Sequence, residues 1–360
     1  MAITRIGNPA IADQRGVNFR NILINGGMDI AQRGTSSTGV TSNGYYTCDR
    51  WNTIPINLGT WTLTQSTDVP TGQGFVSSFK LDCTTADASP AADDLFIFRQ
   101  KIEGQNLQYI KKGTSSAESL TLSFWVKSNK TGTYIAELLD FDNSRQISQS
   151  YTISSADTWE KKTLTFAGDT TGAFDNDNAQ SLMVAFWLGA GSDYTSGTLS
   201  TSWTSTTNAN RAVGQVNLAD STSNEWYVTG VQLEAGTSAS DFEFLPYDVN
   251  RARCERYCRG MGQGVTGRAT STSVFYFSAP LNPPMRATPT VTLVDNSVGV
   301  GDLKSYDRES SSSSFVLARS NRAGLVGSID GFSGLVAGDM LQIHYSTNSE
   351  GFNFLCDAEL

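Results

Sequence analysis

The chain has 360 residues, of which 39% are hydrophobic, 10% aromatic and 17% charged, and its formal net charge is −9. The length predicts two or three domains, the aromatic residues provide enough apolar surface for a core, and the scarcity of strong helix formers argues against a helical bundle. The acidic balance argues against sequence-independent nucleic-acid binding, and a single histidine, His344, excludes a metal site with two histidine ligands.

Residues 1–22 show neither a period-2 nor a helical hydrophobic pattern, so we expect them to form a docking arm rather than a domain. The first five residues lack the apolar core of a signal peptide, and the longest apolar run, residues 182–190, is too short for a membrane-spanning helix. Five cysteines are an odd, sparse set, which predicts reduced thiols. Together these features predict synthesis in a cytosol.

Residues 23–246 have the pattern of an antiparallel β-sandwich with jelly-roll or Greek-key connections. Residues 120–127 (LTLSFWVK) alternate between large apolar and other side chains, as a half-buried strand does. Clusters of Gly, Asn, Asp, Ser and Thr separate this strand from its neighbours. Further strands are predicted at residues 95–102, 133–139, 161–166, 182–188 and 225–234. All seven tryptophans precede Pro246, which supports a domain boundary there.

Residues 247–261 are predicted to form a short helix and linker between two β units. Gly260 can end the helix, and Cys254, Cys258 and Met261 would share one of its faces. An isolated three-turn helix is marginal in water, so it must pack on the sandwich or on copies of itself. Residues 262–360 are predicted to be a second, C-terminal β domain. Its strands are expected at residues 274–277, 290–294, 315–318 and 340–345.

Two patterns resemble reactive or binding motifs, and each has a structural explanation that we favour. Gly262, Gly264 and Gly267 match a dinucleotide-binding fingerprint by letter, but they follow a helix instead of a strand, so a hinge is the better interpretation. Cys254 and Cys258 lack the further ligands that a structural zinc site needs, which favours buried apolar roles. The sequence therefore predicts no catalytic residue, no metal ligand and no cofactor.

Aromatic residues on polar strand faces are the candidate binding residues. Trp125 shares its face with polar side chains, Trp187 shares its face with small side chains, and Tyr134 and Trp159 are expected to project outward as well. A flat ring open to solvent can stack on the apolar face of a sugar ring, so these four residues are the predicted glycan-binding set. The alternative is that the rings pack under a loop, against another domain or at a subunit interface.

The segments of residues 21–258, taken in order, resemble the virion fibre and tail proteins of tailed bacteriophages that carry a jelly roll similar to carbohydrate-binding modules. The resemblance rests on residues 21–29 (NILINGGMD), 31–34 (AQRG), 48–51 (CDRW), 100–104 (QKIEG), 120–127 (LTLSFWVK), 229–236 (TGVQLEAG), 242–244 (FEF) and 254–258 (CERYC). No single segment is specific, and their common order carries the signal.

The resemblance implies a non-enzymatic virion component, typically a homotrimer, whose β-rich C-terminal part assembles or touches the host. We therefore expect a tail fibre or comparable adhesion protein that binds host-surface polysaccharide, with the arm of residues 1–22 attached to other virion proteins. It would be located in the phage tail or on the particle surface, with no membrane insertion. The alternatives are a capsid decoration or head fibre protein and, from another class, a glycan depolymerase. Calcium binding stays open, because no ligand set can be transferred.

Overall fold

The computed structural model describes residues 19–262, 265–294, 299–302, 314–345 and 352–360. The first part of the chain forms a sandwich of two six-stranded sheets, which confirms the predicted all-β jelly-roll class. Its strands are β1 Ser36–Val40, β2 Asn52–Ile56, β3 Thr60–Ser66, β4 Ser78–Thr85, β5 Leu95–Glu103, β6 Leu120–Ser128, β7 Gly132–Asp140, β8 Arg145–Ile153, β9 Glu160–Phe166, β10 Gln180–Ala190, β11 Thr204–Ser205 and β12 Glu225–Ala235.

The main core lies between the two sheets of the sandwich. The first sheet has the order β1-β3-β4-β12-β6-β9 and the second the order β11-β8-β7-β10-β5-β2, and neighbouring strands are antiparallel. Side chains alternate between the two faces of each strand, so every second residue of β6 enters the core, from Leu120 to Val126. Trp51 stacks on Phe98 in this core, with ring centres 4.7 Å apart and planes within 8°.

The outer face of the second sheet is covered by residues 191–217, a connection that includes α1 Ser192–Thr195. Beneath it lies a second apolar cluster on outward-facing positions of β5, β7 and β10, which includes Ile97, Ile135 and Trp187. The buried carboxylate of Glu137 anchors this connection, because Arg211 donates to its two oxygens over 2.8 and 2.9 Å. The second sheet is therefore buried on both faces over much of its area.

The predicted linker helix is shorter than its sequence pattern indicates. α2 runs from Tyr247 to Glu255, and Cys258 already belongs to a strand of the C-terminal unit. Ladder pairing of Cys258 with Asp357 ends the helix early, an effect that a local pattern cannot show. The helix packs on the sandwich, where Cys254 and Tyr257 form a buried cluster with Ile24 and Ile30.

The C-terminal unit consists of a three-stranded and a six-stranded antiparallel sheet among the described residues. The orders are β13-β21-β16 and β17-β20-β14-β15-β19-β18. The strands are β13 Cys258–Gly262, β14 Thr266–Ala269, β15 Phe275–Pro280, β16 Thr290–Leu293, β17 Gly299–Asp302, β18 Ser314–Asn321, β19 Gly324–Asp330, β20 Met340–Tyr345 and β21 Phe352–Asp357. Within the ranges that the structure describes, no helix is both long enough and apolar enough to cross a membrane.

The predicted arm of residues 1–22 is only partly described, since residues 1–18 lie outside the described ranges. The boundary at residue 22 is too late, because Asn21 and Ile22 are already built into the sandwich. The amide of Ile22 donates to the carbonyl oxygen of Leu233 over 2.9 Å, and Asn21 is 4% exposed. The short polar side chain of Asn21 gave no hydrophobic signal, so the pattern placed it outside the fold.

Residues 20–32, which we call the wedge segment, are largely buried although they form neither helix nor strand. The Asn21 amide group donates to the carbonyl oxygen of Val231 and accepts from the amides of Leu23 and Leu233. Asn25 does the same for Ile30, accepting from its N–H and donating to its carbonyl oxygen. Side chains thus replace the hydrogen bonds that a regular element would provide.

Asp29 in the wedge segment generates a prediction about pH. Burial raises its pKa from 3.8 to about 6, so folding favours the protonated carboxyl, and stability is lost as pH rises from about 4 through 6. Asp29→Asn should therefore raise the free energy of unfolding at pH 7.5 by about 1 kcal/mol, a value reduced for solvent screening of a partly exposed group. At pH 4 the same substitution should leave the free energy of unfolding almost unchanged. Urea unfolding at both pH values measures it.

The matched control for this prediction is Asp93→Asn, which alters an exposed carboxylate in the turn before β5. This control substitution should change the free energy of unfolding by nearly the same amount at pH 4 and at pH 7.5. An equal gain from Asp29→Asn at pH 4 and pH 7.5 would show that the charge on Asp29 does not oppose folding.

Candidate functional site

The outer face of the first sheet carries the candidate site. Trp125 projects from β6 on this face and is partly exposed, while its neighbours Phe124 and Val126 point into the core. Register places Trp125 opposite Thr229 of β12 on one side and Lys161 of β9 on the other. The ring therefore lies among polar and small side chains, as the alternation predicted.

Two residues further along β6, Lys127 lies between the rings of Trp159 and Tyr227. Its Nζ is 4.2 Å from the centre of the Tyr227 ring and 5.7 Å from that of Trp159. The two rings meet edge to face, with centres 6.1 Å apart. Such contacts combine cation–π attraction with aromatic packing, which fixes the orientation of both rings. We call Lys127, Trp159, Tyr227 and their partner Asp68 the aromatic cluster.

Asp68 closes the aromatic cluster from the connection between β3 and β4. It accepts a hydrogen bond from Nε1 of Trp159 over 2.9 Å and forms an ion pair with Lys127. Burial alone would raise the pKa of Asp68, but the hydrogen bonds from Lys127 and Trp159 outweigh it and hold that pKa below its usual value. The carboxylate therefore stays charged at neutral pH and holds Trp159 at the edge of the sheet.

A second ion pair lies on the other side of Tyr227. Lys80 of β4 reaches the Glu225 carboxylate over 2.7 Å, and its Nζ is 5.4 Å from the centre of the Tyr227 ring. Burial raises the pKa of Tyr227 to about 12, so its hydroxyl remains a neutral donor and acceptor. The surface thus presents the partly exposed rings of Trp125 and Trp159 and two compensated ion pairs, an arrangement that can hold a polar ligand with a flat apolar side.

Trp187 does not belong to this surface, and the expectation that its ring faces solvent is wrong. It is 0% exposed beneath residues 191–217, with its ring centre 5.1 Å from the Arg211 guanidinium. Its Nε1 donates to Glu137 over 3.1 Å. The period correctly placed Trp187 on the face opposite the main core, but it could not show that a later segment covers that face.

Tyr134 is also buried, at 0% exposure, and the expectation that it projects outward is wrong. Its ring stacks on Tyr151 in the main core with centres 5.6 Å apart, and its hydroxyl donates to the carbonyl oxygen of Lys130 over 2.8 Å. The local turn thus satisfies the only polar atom of the side chain, which makes burial favourable. Of the four predicted residues, Trp125 and Trp159 remain accessible, and ligand binding by them stays a prediction.

Sequence reasoning missed Asp68 and Tyr227. The alternation of β12, with Trp226 and Val228 in the core, could have placed Tyr227 outward. No sequence signal could have found Asp68, because a connecting loop brings it to Lys127. Among the described residues, no group of three or more His, Cys, Asp or Glu is arranged to hold a metal ion. All five cysteines are buried and free.

Comparison with known proteins gives structural similarity only, since no family model and no curated protein matches the chain. The enzymatically active domain of tailspike protein 4 of bacteriophage CBA120 matches with 16% identity and a TM-score of 0.32, over 60% of this chain and 21% of that chain. The carbohydrate-binding module CBM4 matches with 11% identity and a TM-score of 0.29, over 59% of this chain and 97% of its own.

A third similar structure is the family 11 carbohydrate-binding module of a cellulosomal cellulase of Clostridium thermocellum. It matches with 12% identity and a TM-score of 0.26, over 57% of this chain and 96% of the module. The chain spans about a fifth of the length of the tailspike chain. At these TM-scores the similarities carry no conclusion about the site, and the fold follows from the strand pairing itself.

Because Trp187 is buried and Trp159 is partly exposed, their substitution should affect stability differently. Trp187→Ala should lower the free energy of unfolding by about 3–5 kcal/mol, because it opens a cavity and removes one of the hydrogen bonds to the buried Glu137 carboxylate. Trp159→Ala should cost only about 1 kcal/mol, the value of an edge-to-face contact at a partly exposed position. Urea unfolding followed by far-ultraviolet circular dichroism measures both. Equal costs would contradict the assignment of Trp187 to structure and of Trp159 to the surface.

Proposed function

We propose that this protein is a non-catalytic virion component of a tailed bacteriophage, a tail fibre or similar attachment protein, that binds host-surface polysaccharide. The observation that carries the binding part is the partly exposed pair Trp125 and Trp159 on one sheet face, with Lys127 and Asp68 beside them. The ordered segments of residues 21–258 support the phage part. No catalytic arrangement is needed for this role.

The chemistry of the surface fits the apolar face of a sugar ring better than a charged ligand. Lys127 is paired with Asp68, and Lys80 is paired with Glu225, so the face carries no unpaired charge among these four groups. Stacking of a pyranose on a tryptophan requires a flat ring with open space above it, and hydroxyls at its rim require mixed donors and acceptors. The Asp68 carboxylate, which is 45% exposed, provides an acceptor of this type beside the rings.

A homotrimer would convert weak single contacts into firm attachment. Linked sites bind a repeating polymer with a high effective concentration, so the avidity can exceed the affinity of one site by orders of magnitude. We propose that the chain assembles in this way through its C-terminal part, and that the part of the predicted arm before the wedge segment, residues 1–19, attaches it to other virion proteins. Localisation of the protein in intact particles by electron microscopy distinguishes a tail position from a head position. Sedimentation equilibrium of the full chain tests the trimer.

Substitution of the two rings tests the glycan site. Trp125→Ala and Trp159→Ala should each weaken binding to host cells or to an arrayed host polysaccharide by about 5- to 150-fold, which corresponds to about 1–3 kcal/mol per stacked ring by analogy with stacking on flat bases. Binding is measured by glycan array and by cell pull-down with purified protein. Thermal melting confirms that each variant is folded.

The matched control is Tyr276→Ala, which removes an aromatic ring that is 39% exposed on the C-terminal unit. It should leave binding within twofold of the unaltered protein. Full binding by both folded tryptophan variants would show that the outer face of the first sheet does not bind the receptor. Loss of binding in Tyr276→Ala alone would move the receptor contact to the C-terminal unit.

A further inference from the structure

A buried ammonium group lies where β7 ends. It belongs to Lys112, in the connection between β5 and β6, whose side chain is 4% exposed. Its Nζ is 2.6 Å from a carboxylate oxygen of Asp140, the last residue of β7, and 3.1 Å from one of Asp169, in the connection between β9 and β10. It also donates to the carbonyl oxygens of Thr171 and Gly172, each over 2.8 Å. We call these four oxygens the oxygen cage.

Two aromatic rings lie beside the oxygen cage. The Nζ of Lys112 is 5.1 Å from the centre of the Phe174 ring and 5.6 Å from that of the Trp203 ring. The face of an aromatic ring attracts a cation, and more strongly where water is excluded. Carboxylates, carbonyl oxygens and rings thus act in the same direction, and all of them favour a positive charge at this point.

The Asp169 carboxylate is held in place by a second cation. Arg145 donates to its two oxygens over 2.6 and 3.0 Å. Burial alone would raise the pKa of Asp169, but hydrogen bonds from Arg145, from the amide of Thr171 and from Lys112 outweigh burial and hold that pKa below its usual value. Asp169 therefore remains charged at neutral pH.

The Asp140 side of the oxygen cage is fixed by an amide. Asn143 donates to the Asp140 carboxylate over 3.0 Å and to the carbonyl oxygen of Ala173 over 2.9 Å, so it ties β7 to the loop that carries the two cage carbonyls. Gly172 in that loop has a φ of +70°, and a Cβ on it would lie 2.2 Å from Oδ1 of Asn143. Glycine is therefore required for this close approach.

The charges of this region balance only when the ammonium group is present. Arg145 compensates one of the two carboxylates, and Lys112 compensates the other. Removing one partner of a buried ion pair leaves a buried charge that is strongly unfavourable. An ammonium group has three N–H donors for the four oxygens, and carboxylate and carbonyl oxygens are also the ligands that Ca²⁺ prefers. By donor type, the oxygen cage is a site for a cation.

We propose that the oxygen cage is a structural cation site that the chain fills with its own Lys112 ammonium group in place of a metal ion. The unaltered protein then needs no metal ion to stabilise this part of the sandwich. Without the Lys112 side chain, the same oxygens should take a small external cation, either an alkylammonium ion or Ca²⁺. The site uses no residue of the aromatic cluster, so the failure of either assignment leaves the other unaffected.

Thermal melting of the unaltered full chain is the first test. The melting temperature should be the same in plain buffer, in buffer with EDTA and in buffer with millimolar calcium chloride, because the ammonium group already fills the site. This comparison does not depend on the folding of any variant.

Substitution of Lys112 is the second test. Lys112→Ala and Lys112→Met should each lower the melting temperature by about 6–15 °C, because both leave a buried carboxylate without its cation. Lys112→Met keeps the length of the side chain, so it separates the loss of charge from the loss of packing. The matched control is Lys111→Ala, which alters a neighbouring lysine that is 54% exposed and pairs with Glu118 over 3.4 Å. It should lower the melting temperature by no more than about 3 °C.

Rescue of Lys112→Ala by added cations is the third test. The atoms that this variant lacks, Cγ to Nζ, are those of a propylammonium ion. A cation that binds only the folded state raises the melting temperature, by about 3–6 °C at roughly ten times its dissociation constant. Propylammonium chloride and calcium chloride should each do so, and EDTA should reverse the effect of calcium. The uncharged analogue 1-propanol should not, and Lys111→Ala should respond to none of them.

Three results would overturn the proposal. The first is that EDTA lowers, or calcium raises, the melting temperature of the unaltered protein. The second is that Lys112→Ala and Lys112→Met are as stable as Lys111→Ala. The third is that folded Lys112→Ala gains no more from propylammonium or calcium than from 1-propanol. If Lys112→Ala does not fold, Lys112→Met and the EDTA comparison decide.

Discussion

The structure depends on burying a segment that has no regular secondary structure. The backbone of the wedge segment would carry unpaired polar groups into the core if its own side chains did not satisfy them. Asn21 and Asn25 provide both a donor and an acceptor at the required positions, and Gln100 of β5 pairs with both the N–H and the carbonyl oxygen of Ile24 over 2.8 Å. Gly26 completes the arrangement, because a Cβ there would lie 2.0 Å from the carbonyl oxygen of Val231.

The same segment also joins the two β units. Gln32 at its end donates to the carbonyl oxygen of Cys258 over 2.7 Å, and the adjacent Arg33 reaches Asp357 over 2.8 Å. Helix α2 gains its apolar contacts from Ile24 and Ile30, which explains how a helix of nine residues persists. The wedge segment thus positions α2. The wedge segment therefore contributes to the contacts between the sandwich and the C-terminal unit as well as to those of α2.

The sequence was sufficient for features that depend on local periodicity and insufficient for those that depend on coverage by distant segments. Alternation in β6 correctly separated Trp125 from the core, and alternation in β10 placed Trp187 on the face opposite the main core. It could not show that residues 191–217 fold over that face, because their polar, glycine-containing sequence has no strand or helix pattern. Asp68 reaches Lys127 from a loop 59 residues earlier in the chain, so no spacing rule could join the two.

Charge pairing determines what kind of ligand the outer face of the first sheet can hold. On the outer face of the first sheet, Lys127 and Lys80 each have a carboxylate partner, so a ligand there gains from ring contact and hydroxyl hydrogen bonds rather than from net charge. The exposed Lys161 opposite Trp125 adds one cation at the rim of this face. A neutral sugar face that stacks on the rings fits this surface, and the Lys161 ammonium group can donate to a hydroxyl at the edge of the sugar.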